Sequence, residues 1–125
     1  MADMQAWKGR IDRLAADTQT MSHQVGQLRV TASDNDDLVD VTIDSSGALT
    51  DIQFTQRVLR MAPEDVTRAV LEAAGAARLK AAERVQEVIA ETMGPQSQSG
   101  RAIAERMASR LRGADGAGSD ADYRV

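Results

Sequence analysis

His23 is the chain's single histidine, and histidine is the side chain whose ordinary pKa lies nearest neutrality. A general base needs a nucleophile, or an acid that orients it, at motif spacing. No such partner stands near His23, which falls two residues past Met21 and reads as a solvated helix residue. Asp34, Asp36 and Asp37 crowd one short polar run, and carboxylates so spaced invite a calcium ion. An EF-hand loop requires glycine at its sixth position and glutamate at its twelfth. Counted from Asp34, those positions are Val39 and Ser45, so the run reads as a hairpin turn. The glycines are scattered and form no phosphate-cradling loop. There is no cysteine, which excludes disulfides, thiolate metal sites and cysteine nucleophiles. No catalytic, metal or cofactor site is expected, and the chain reads as non-enzymatic.

Cations remain, and their chemistry is phosphate binding. Lys8, Arg10 and Arg13 lie on a first helix, Arg78, Lys80 and Arg84 on a second, and Arg101, Arg106, Arg110 and Arg112 near the end. Each could equally be a solvated surface charge. The net charge is −4 and uneven: residues 1–92 carry −5 and residues 93–125 carry +1. An acidic body disfavours diffuse attraction to a phosphate backbone. With Trp7, Phe54 and Tyr123 as the whole aromatic set, there is no stacking platform for single strands. Any DNA binding would then be phosphate-driven, tolerant of sequence and strongly salt-dependent.

The elements that must position these residues follow from period. Met4, Trp7, Ile11, Leu14, Thr18, Met21, Val25 and Leu28 recur at alternating spacings of three and four, a heptad seam of coiled-coil type. A helix over about 3–26 follows. Its stripe is too narrow to be buried alone, so it packs either on a later helix of its own chain or across a dimer. Trp7, Ile11, Leu14, Met21 and Val25 are the dimer-packing candidates. From Leu28 the period becomes two. Val30 and Ala32, then Val39, Val41 and Ile43, then Ile52 and Phe54 alternate with polar residues across two turns, which predicts a three-stranded antiparallel meander. Pro63, with Glu64 and Asp65 behind it, opens a long second helix that runs to about 92. Residues 1–92 thus form one α+β domain: a long N-terminal helix, a meander and a long C-terminal helix. Residues 93–100 read as a flexible linker, 101–112 as a short basic helix and 113–125 as a disordered tail. Aromatic residues are scarce and the domain is small, so self-association is expected. The N-terminus has no apolar run like that of a signal peptide, and no stretch approaches the roughly 20 apolar residues of a membrane span. A cytoplasmic location is the default.

Three stretches carry a resemblance: VTAS at 30–33, VDVTIDSSGALTDIQF at 39–54 and AVLEAAGAARLKAAE at 69–83. Together they resemble the YbaB/EbfC family of bacterial nucleoid-associated proteins, of an actinobacterial type. The resemblance implies a homodimer that binds DNA with little sequence specificity. Similar actinobacterial proteins are associated with type VII secretion, which implies a second possibility: an adaptor that holds a protein partner without significant DNA binding.

Overall fold

The computed structural model describes the backbone of residues 2–122 and the side chains of residues 4–113. The chain forms α1 (Ala2–Gly26), β1 (Arg29–Ser33), β2 (Val39–Asp44), β3 (Leu49–Phe54), a 3-10 turn (Gln56–Arg60), α2 (Pro63–Met93) and α3 (Gln98–Asp122). The α+β architecture with its long first helix is the one the periods imply.

The three strands form one antiparallel sheet in the order β1-β2-β3. Val30 stands opposite Ile43, and Val41 opposite Ile52, so the apolar residues share one face. The first turn is pinned by Asp34, whose side chain is buried. Its carboxylate accepts backbone N–H groups from Leu38 at 2.7 Å, Val39 at 2.8 Å and Asp36 at 3.2 Å. Burial alone would raise this carboxyl's pKa, but the backbone donors outweigh it and hold the pKa below the usual aspartate value. The run of aspartates is therefore a turn built around an internal acceptor, with Asp37 taking the left-handed conformation at φ 55°. Asp44 does the same work in the second turn. The Ser46 hydroxyl is the largest influence that lowers its pKa; burial opposes, and the backbone N–H groups of Ala48 and Ser46 add to the lowering. Gly47, at φ 88°, supplies the positive angle this turn requires.

α2 is the central element. Pro63 opens it, and Asp65 and Val66 donate their backbone N–H groups to the Ala62 carbonyl. α2 packs on β1 and β2, on α1 and on α3. Ala69, Ala73, Ala77 and Ala81 are buried along one stripe, and side chains of this size let packed backbones approach closely. Val85, Val88 and Ile89 continue the core toward the helix's C-terminal end.

Residues 93–100, expected as a flexible linker, form a tight turn between two packed helices. Gly94 (φ 89°) ends α2, its N–H reaching the Ala90 carbonyl at 2.9 Å. Ser97 then caps α3: its hydroxyl accepts the Gly100 N–H at 3.1 Å, and its carbonyl accepts the Arg101 N–H at 2.9 Å. α3 begins at Gln98 rather than 101, and its backbone stays helical to Asp122, where a disordered tail is expected from 113. The reason lies in its apolar stripe. Gly100, Ala108 and Leu111 are buried, with Ile103, Ala104 and Met107 packed beside them. Packing on α2 nucleates the helix, and each further residue then adds a hydrogen bond without a new nucleation cost. Residues 123–125 lie outside the described residues.

Candidate nucleic-acid interface

The α1 seam divides into two halves. Exposure falls from 72% at Met4 to 40% at Leu14, then to 5% at Met21 and 4% at Val25. Residues 4–17 are exposed on every side of the helix except at Gly9. The outer half of α1 is therefore an arm that projects from the body, and the inner half is part of the core. Met21 and Val25, expected as dimer-packing residues, lie in the protomer's own core. Trp7, Ile11 and Leu14 remain uncovered.

Lys8, Arg10 and Arg13 stand on this arm, all exposed. At about 100° per residue, Lys8 and Arg10 lie roughly 80° to either side of the seam, and Arg13 is turned farther from it. None of the three has an ion pair or side-chain hydrogen bond among the described residues. They can meet phosphates without first breaking an internal contact.

The α2 candidates are placed differently. Lys80 donates to the Thr31 carbonyl of β1 at 3.1 Å. Arg84 pairs with Glu87 at 2.9 Å and Glu91 at 3.7 Å. Arg78 is half-buried and holds an interaction within the molecule. Lys80 and Arg84 line a cleft of about 550 Å³ between α1, β1 and α2, but Glu83 and Glu87 line it too. Carboxylates interleaved with the cations make this cleft a poor seat for phosphate.

On α3 the arginines divide again. Arg101 donates to the Pro95 carbonyl at 3.0 Å and to Gln96 Oε1 at 3.1 Å, so it braces the turn. Arg106, Arg110 and Arg112 are exposed and unpaired among the described residues. Arg106 and Arg110, four apart, share one flank of the helix. The structure thus separates six candidate cations without internal partners among the described residues, on the arm and on α3, from four that are engaged within the molecule.

A model of the YbaB/EbfC DNA-binding family matches residues 1–96. The chain belongs to that family. The matched region covers the arm, the sheet and all of α2, while α3 lies beyond it. A search among curated proteins finds no match to this chain. Among the described residues no group of histidine, cysteine or acidic side chains is arranged to hold a metal ion. No described helix is long and apolar enough to cross a membrane.

One apolar surface escaped the period analysis. Phe54 and Leu59 are exposed, and with Val58 and Val66 they line a groove of about 430 Å³ at the end of β3. Alternation puts Phe54 on the inner face of the sheet. Only the fold shows that α2 packs chiefly over β1 and β2 and leaves that edge open, and that Leu59 is exposed.

Proposed function

We propose that this family member is a homodimeric nucleoid-associated protein that binds DNA through phosphate contacts, largely without sequence specificity and with no catalytic role. The observation that carries this reading is the projecting arm with Lys8, Arg10 and Arg13 exposed and, among the described residues, unpaired. Arg106, Arg110 and Arg112 on α3 supply a second set of contacts. Cations free of internal partners release phosphate counterions at full effect, which makes the binding steep in salt. A dimer doubles both sets and raises avidity without new chemistry. The exposed Trp7, Ile11 and Leu14 are apolar surface that a second copy would cover. The implied location is the nucleoid, in the cytoplasm.

An electrophoretic gel shift with duplex DNA at about 50 and about 200 mM salt tests it. The reading expects a shift at the lower salt that weakens sharply at the higher. Absence of any shift at the lower salt with micromolar protein would sink it. The acidic body and the apolar arm favour one second reading, a protein-interaction adaptor, associated with type VII secretion, that does not bind DNA. It expects a protein partner on the arm and DNA affinity unchanged when Lys8, Arg10 and Arg13 are removed.

A further inference from the structure

The cations without internal partners fall into two sets that α2 keeps apart. α2 packs on α1 and on α3, and those two helices are not extensively packed on each other. Lys8, Arg10 and Arg13 lie outward along α1, with Lys8 about 20 Å of helix from Met21, where burial begins. On α3 the stripe from Gly100 to Leu111 meets α2, and Arg110 and Arg106 lie roughly 90° and 130° round the helix from its centre. Both are therefore turned away from α2. Arg112 is on the opposite flank, in a groove with Glu105. Between the two sets α2 shows solvent a row of carboxylates: Glu83, Glu87 and Glu91 are four apart and all exposed. Glu83 and Glu87 border the cleft beside α1. The row stands roughly 80° round α2 from Gln86 and Ala90, which border the groove against α3. Arg84 pairs with Glu87 and Glu91, and the face stays net negative.

We infer that the two sets hold separate stretches of duplex, so that the protein bridges DNA through its arm and α3. A phosphate backbone laid across both sets would have to pass over the carboxylate row, where like charges repel it. Two stretches, one on the arm and one on the outer flank of α3, avoid the row. Arg106 and Arg110 alone make a weak site. On a long molecule that folds back, the contact at the arm raises the effective concentration of DNA at α3, and both sets then contribute to the salt dependence. α3 lies beyond the residues that the family model matches, so the second site belongs to this chain's own extension. The inference rests on the DNA binding of the proposed function and adds how many stretches of duplex one protein holds.

Two short duplexes make the test, one immobilised on beads and one carrying a fluorophore in solution. The full-length wild type is expected to carry the labelled duplex onto the beads at about 50 mM salt and to release it at about 200 mM. Arg106→Ala with Arg110→Ala replaces two exposed helix residues by the best helix former, so the circular dichroism spectrum is expected to be unchanged. That variant is expected to shift a single duplex in a gel through the arm, and to lose capture of the labelled one. Capture by this variant equal to that of the wild type overturns the inference, because bridging would then come from the arms of two copies. A wild type that shifts a single duplex but carries no label onto the beads also overturns it, and leaves the DNA-binding reading standing. A wild type that shifts no duplex overturns both.

Discussion

The outer and inner halves of α1 carry the same heptad seam, yet they meet opposite fates. Met21, Val25 and Leu28 close onto α2 and the sheet, while Met4, Trp7, Ile11 and Leu14 face solvent. Nothing in the residue types separates them; Leu14 is as apolar as Leu28. The difference lies in what stands opposite. The inner half has a partner in its own chain, and the outer half extends past the elements that could cover it. An apolar stripe therefore reports that a helix wants a partner and says nothing of which chain supplies it.

The sharpest test of this contrast is a pair of truncations. Met21→Ala removes a buried side chain and is expected to lower unfolding stability by about 2–5 kcal/mol in a urea titration. Trp7→Ala, measured at a dilution where the chain is monomeric, is expected to change stability by less than about 0.5 kcal/mol. Equal losses at that dilution would mean the arm is not a separate region.

Next in size is the turn between β1 and β2. Asp34→Ala leaves the Leu38 and Val39 N–H groups without their acceptor, and the expected loss is about 1–3 kcal/mol. The same carboxylate gives a pH signature. Its folded pKa is depressed, so its contribution is present above the unfolded value of about 3.9 and is lost as pH falls through the lower folded value. Asp44 acts in the same direction. Stability of the wild type is expected to fall as pH drops below about 4, and Asp34→Asn should flatten that acid limb.

The cations give the functional side of the contrast. Removing Lys8, Arg10 and Arg13 together is expected to reduce the slope of log affinity against log salt by about 3 for each protomer that contacts the DNA. Arg106→Ala with Arg110→Ala should reduce it by about 2 for each such protomer. Lys80→Ala with Arg84→Ala should change it by less than about 1, since both side chains are engaged within the body. A larger effect from the α2 pair would move the interface from the arm to the cleft.

Much of the fold was legible because its signals are local. The switch from heptad period to alternation at Leu28, the turn residues at 34–37 and 45–47, and Pro63 each act within a few residues. The end of the chain was misread for the opposite reason. GPQSQSG has the composition of a linker, but Gly94 and Ser97 serve as helix caps and Gly100 is buried in the first turn of α3 once α3 rests on α2. The cations show the same division. Their positions were readable, yet whether Arg84 faces a phosphate or Glu87 depends on a side-chain contact.

By itself the sequence determined the element order, the family, the absence of cysteine chemistry and the positions of every basic residue, because these are set by residue type and short-range period. The tertiary structure decided which half of the α1 seam is covered, which cations are free and which sheet edge is open. Those depend on how far one element extends past another, and no local pattern encodes that length.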